Sequence, residues 1–159
     1  MSITLTIDQL KQSGRYHDAV TLVRQQLQKQ PADAVLHYQL ACLYDVQGRE
    51  SHAIPCYLAA LSGNLPKKQR QEAWLGLGST YRALGQYSHS LEAFENGLAE
   101  FPQARELTLF RAMTLYNLGE NKQAVAELLL LLAETSAHSD ILLYQQAIRQ
   151  YAADLDRIG

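Results

Sequence analysis

The chain has 159 residues, 47% of them hydrophobic, and its 14 basic and 16 acidic residues leave a formal charge of −2. That length supports one domain with a real core, and the near balance of charge excludes the basic footprint of a nucleic-acid-binding protein. Two cysteines, Cys42 and Cys56, make no disulfide framework and read as reduced thiols of a cytoplasmic protein.

Along the chain, MSITLTIDQLKQ lacks a charged segment followed by an apolar run, so no signal peptide is expected. Gly14, Gly48, Gly85 and Gly119 each close one helical apolar pattern and precede another, at spacings of 34, 37 and 34 residues. Five positions after each glycine stands a small residue: Ala19, Ala53, Ser90 and Ala124. Four further on comes a larger one: Val23, Tyr57, Phe94 and Leu128. Pro31, Pro66 and Pro102 close several units.

Within the units, apolar residues recur at three and four, as in Trp74, Leu77 and Tyr81, which is the period of a helix burying one stripe. Pro55 is expected just past the first turn of a helix capped by Ser51. The three extra residues of the longer interval fall near PKKQR, where Lys67, Lys68 and Arg70 form either a basic contact patch or a solvated loop and first helical turn. The run AVAELLLLLA is half the length of a membrane span. At 100° per residue Leu128, Leu131 and Leu132 share a side while Leu130 points away, so Leu130 is expected exposed, at an end open to a partner or a second copy. Ile141, Tyr144, Ile148, Tyr151, Leu155 and Ile158 then form the stripe of one amphipathic helix, read as a cap on the array.

A period of about 34 with helix, glycine turn, helix and closing proline resembles the tetratricopeptide repeat (TPR). The central unit carries it best, through Trp74, Leu77, Gly78, Tyr81, Gly85, Ser90, Phe94 and Pro102. The unit before it has Leu40, Ala41, Tyr44, Gly48, Ala53, Tyr57 and Ala60 in register, with His37 replacing the tryptophan. The unit after it keeps Ala112, Leu115, Gly119, Ala124 and Leu128, with Thr108 at the tryptophan position. AIPCYLAALSGNLPKKQRQEAWLGLGSTYRALGQY is similar to the bacterial group-5 subfamily, which combines a proline in the second helix with a long inter-repeat loop.

The resemblance implies an all-α, right-handed superhelix of antiparallel helix pairs. Its expected units are a divergent repeat with a short first helix over 1–33, repeats over 34–70, 71–104 and 105–138, and a capping helix over 139–159. Gly78 is expected where paired helices come close, and Gly85 in a left-handed turn.

The family's groove positions fall on Val35, Tyr38, Gln39, Cys42 and Asp45, then on Glu72, Leu75, Gly76, Ser79 and Arg82, then on Glu106, Leu109, Phe110, Met113, Tyr116 and Asn117. The lining is apolar and aromatic around one cation, Arg82. It departs from the family's carboxylate clamp, which needs Lys and Asn where this chain has Tyr38 and Cys42. Gly76 either admits a partner's backbone or relieves crowding inside the stack.

His52 and His89 take equivalent positions facing solvent, and His52 with Cys56 lacks the further ligands of a metal site. GLGSTYR lies inside a helix and does not follow a strand, so it is no phosphate loop. No cofactor, metal or catalytic group is expected. The functional expectation is a non-enzymatic scaffold binding a peptide or helix of a partner protein, without nucleic acid or membrane. The alternatives are a small chaperone for a secreted client and a subunit that self-associates through the C-terminal end.

Overall fold

The computed structural model describes residues 2–158. Four antiparallel helix pairs follow one another: α1 (Ile3–Gln12) with α2 (Tyr16–Lys29), α3 (Ala34–Val46) with α4 (Glu50–Ser62), α5 (Lys67–Ala83) with α6 (Tyr87–Glu100), and α7 (Arg105–Asn117) with α8 (Asn121–Thr135). Two shorter helices close the chain, α9 (Ser139–Leu143) and α10 (Gln145–Ala153). There is no strand among the described residues. Each first helix after α1 packs on the second helix of the preceding pair, giving a helical-repeat solenoid.

The turn inside every pair is built the same way. Gly14, Gly48, Gly85 and Gly119 sit at φ between 66° and 83°, where a side chain is strained. The following residue, Arg15, Arg49, Gln86 or Glu120, donates its N–H to the carbonyl five residues back at 2.8 to 2.9 Å. That bond satisfies one of the orphan carbonyls of the first helix and reverses the chain at once.

Within a pair the helices meet at small residues. A Cβ on Gly78 would lie 2.5 Å from Cε1 of Phe94, so glycine is what lets α5 and α6 close around that fully buried ring. Ser90 on α6 donates to the Gly78 carbonyl at 2.7 Å and meets the Thr114 hydroxyl of α7 at 2.9 Å, so the polar groups at this crossing are paired. The main core runs from Ile7 through Leu43 and Tyr57 to Leu77, and two small clusters around Phe94 and Ala112 continue it.

Of the two readings of PKKQR, the first helical turn is the one found: α5 begins at Lys67, and the three extra residues lengthen its N-terminus. Other local expectations are corrected. Arg70 is no part of a basic patch: it makes a bidentate pair with Glu100, at 2.6 and 2.8 Å, and reaches the Leu61 carbonyl at 2.7 Å, strapping three helices together. Helix α4 is capped at Arg49, ahead of Ser51, which places Pro55 two residues deeper than expected. The C-terminal stripe is not one helix. The chain breaks at Tyr144, with ψ near 13°, and helix ends at Ala153, leaving Leu155 and Ile158 outside it.

Candidate functional site

The expected groove residues divide into three neighbourhoods. The first surrounds the ring of Tyr57, which α4 sends inward. A Cβ on Gly76 would lie 2.5 Å from Cζ and Oη of that ring, so the gap in the side-chain row is filled by the chain itself. Gly76 relieves crowding inside the stack and offers no approach to a partner. The Tyr57 hydroxyl donates to the Asp45 carboxylate at 2.5 Å, and the Thr80 hydroxyl of α5 lies 3.0 Å from the same group. Burial raises the Asp45 pKa despite those two donors. The Tyr38 ring stands 6.4 Å from that of Tyr57, and its hydroxyl donates to Glu72 at 2.8 Å. Burial pushes the Cys42 thiol up, and Cys56 to about 11, so neither is a thiolate near neutral pH. Gln39 is half-buried, with an unpaired buried Oε1.

The second neighbourhood belongs to the core. Leu75 and Phe110 pack against the cluster of Phe94, Ala104 and Leu107. Ser79 and Leu109 are half-buried.

The third neighbourhood is open. Arg82, Met113 and Tyr116 line a cavity of about 480 Å³ between α7 and α8, walled by Ala112, Asn121, Ala124, Val125 and Leu128. The Arg82 Nε donates to Asn117 Oδ1 at 2.7 Å, which holds the guanidinium at the rim. Its other nitrogens can donate to a carboxylate or a carbonyl. Tyr116 is 66% exposed beside it. The first-helix rule found three of these eight residues. The five others were missed because they lie on α8 or on the inner face of α7.

Large exposed hydrophobic side chains concentrate at this end: twelve of the sixteen among the described residues lie at Tyr116 or beyond. Leu130 is exposed as expected, but Leu128 and Leu132, placed on the side to be covered, are exposed as well. The reason is where α10 sits. It approaches α8 on the side of Lys122, Gln123 and Ala126, with the Gln145 amide donating to the Ala133 carbonyl at 2.8 Å. The side bearing Val125 and Leu128 stays uncovered.

His52 and His89 are solvent-exposed, and each lies over a tyrosine of its own pair, 5.4 Å from Tyr44 and 5.2 Å from Tyr81. The Cys56 thiol turns back to the His52 carbonyl at 3.4 Å. Among the described residues no group of three or more His, Cys, Asp or Glu is arranged to hold a metal. No helix among them is long and apolar enough to cross a membrane.

Paired helices with a left-handed glycine between them, stacked so that each second helix receives the next first helix, define a tetratricopeptide-type repeat protein. The group-5 family model, described as "Tetratrico peptide repeat", matches residues 34–155, and the chain belongs to that family. Such repeats are non-catalytic scaffolds for contacts between proteins. No curated protein matches the chain.

Proposed function

We propose that this protein is a cytoplasmic, non-enzymatic scaffold that captures a peptide or helix of a partner protein on the face of its first helices. The contact is centred at the C-terminal end of that face, on Arg82, Met113 and Tyr116. One observation carries the reading: these three line an open apolar cavity of about 480 Å³. The N-terminal part of the same face is spent on the chain's own packing around Tyr57. Apolar anchors in such a recess supply most of the affinity, and one cation sets orientation.

The test replaces Arg82, Met113 and Tyr116 together by Ala and compares capture of partners from the native cell, identified by mass spectrometry. Loss of a partner held by the parent, with helicity unchanged by circular dichroism, supports the reading; unchanged capture removes it. Tyr38 and Phe110 are unsuited to that test, because both are packed against the protein's own helices. A secretion chaperone would use the same face, and is recognised by a client that aggregates once the protein is withdrawn. A self-associating subunit is recognised by a mass that rises with concentration in light scattering.

A further inference from the structure

We propose that the open seam between α7 and α8 receives an α-helix of a partner protein, seated as one more first helix of the stack. The proposal rests on the reading of Arg82, Met113 and Tyr116 as a docking point and specifies what docks there.

The molecule contains its own template for the occupant. Between the second and third pairs, α5 fills the seam of α3 and α4, placing Gly76 under Tyr57 and Thr80 against Asp45. Between the third and fourth pairs, α7 fills the seam of α5 and α6, placing Leu107 beside Gly97 and Thr114 against Ser90. In both cases the filler is an α-helix whose seam residues, four or seven apart, share one face.

At the last seam the receiving residues are present and the filler is not. Leu128 stands nine residues after its turn glycine, as Val23, Tyr57 and Phe94 do after theirs. Those three are 0%, 3% and 0% exposed, whereas Leu128 is 39% exposed. Ala124, the counterpart of Ala53 and Ser90, forms the floor.

The two filled seams define the side chains required. Where α4 offers the large Tyr57, α5 answers with Gly76, and where α6 offers Phe94, α7 packs Phe110 against its cluster, four residues before Thr114. Where α8 offers the smaller Leu128, the gap calls for a bulky apolar residue, with a small or β-branched one four positions later over Ala124. At the Arg82 rim an acidic side chain completes the guanidinium's hydrogen bonding.

A second copy joined head to tail is a poor match. The outer face of its α1 would present Ser2, Gln9 and Gln12, all exposed and polar, with Leu5 as the one apolar contact. The chain's own α10 is engaged on the other side of α8 through Gln145 and Ala133.

The probe is a stapled peptide with the sequence of residues 105–117, whose Phe110, Thr114 and Asn117 positions supply the bulky, β-branched and rim contacts. Its binding to the full chain is measured by fluorescence anisotropy and mapped by methyl NMR. The stapled helix is expected to perturb the methyls of Val125 and Leu128, and Val125→Glu in the chain, at an exposed position, should weaken it about tenfold. Leu142→Glu, on α9, should leave it unchanged. Asn117→Glu in the peptide should tighten binding about two- to fivefold at low salt, a gain absent from Arg82→Gln. Circular dichroism of each variant confirms folding.

An unstapled peptide with a central proline that binds equally well overturns the helix reading. So do methyl shifts that bypass Val125 and Leu128, or a concentration-dependent dimer that covers them. Any of these, alongside partner capture that still depends on Arg82, Met113 and Tyr116, would leave the scaffold function standing. Loss of that dependence with helix binding intact would remove the proposed function alone.

Discussion

Replacing Gly76 by Ala measures how tightly the stack is closed. The new Cβ would lie 2.5 Å from Cζ and Oη of Tyr57 and 2.8 Å from Cε1. The ring is 3% exposed and its hydroxyl is held by Asp45 at 2.5 Å, so it cannot swing aside without breaking that bond. Overpacking of this kind costs about 1–3 kcal/mol, and a weakened buried hydrogen bond adds about 1 kcal/mol. The alanine returns about 1 kcal/mol of helix propensity. The expected net loss is about 1–3 kcal/mol, or roughly 2–4 °C of melting temperature for each kcal/mol in a domain this size. Urea unfolding followed by circular dichroism gives the number. The decisive comparison uses Tyr57→Leu, which removes the obstructing ring: in that background Gly76→Ala should become neutral or stabilise by up to about 1 kcal/mol. An equal cost in both backgrounds would refute the argument, and so would no cost in the parent.

Arg70→Met should lower stability by about 1–3 kcal/mol, because it removes a bidentate pair and a carbonyl contact at once. Arg70 also holds the Glu100 carboxyl below its usual pKa, a contribution present above the ordinary glutamate range and lost as pH falls through the depressed value. The variant should therefore lose less stability on acidification than the parent in urea titrations. Asp45 behaves in the opposite sense: burial raises its pKa, so its contribution is fullest in acid and is lost as pH rises through the raised value. Asp45→Asn should gain on the parent as pH rises from below the ordinary aspartate range through the raised value, and an unchanging difference would contradict this. Gly119→Ala, at φ 83° with no atom within 4 Å of the new Cβ, isolates backbone strain and should cost about 1–2 kcal/mol by the same unfolding assay. Leu130→Lys, on an exposed side of α8, should change unfolding free energy by less than about 0.5 kcal/mol.

The periodic features were legible in the sequence. Gly14, Gly48, Gly85 and Gly119 announced the turns because only a residue without Cβ sits comfortably at their φ. Gly78 announced the close crossing because its own pair supplies the ring above it. Gly76 was ambiguous because the ring that needs its space comes from Tyr57 on another helix, 19 residues earlier. The cavity walls escaped a rule confined to first helices, since Val125 and Leu128 lie on α8. The break at Tyr144 had no local mark. The stripe from Ile141 to Ile158 keeps its spacing without Gly or Pro, and the interruption shows only where α10 settles beside Ala126 and Ala133.

The distribution of buried side chains makes the two ends of the molecule unlike. One cluster joins Ile7 to Leu77, whereas the residues around Ala112, Leu115 and Ala124 form an island held by few neighbours. Where each unit leans only on the adjacent ones, opening starts at the weaker terminus and travels inward. Amides of α8 to α10 should exchange with solvent first and those of α3 and α4 last, so the fold would unzip from its tail like a stack of chairs lifted from one side.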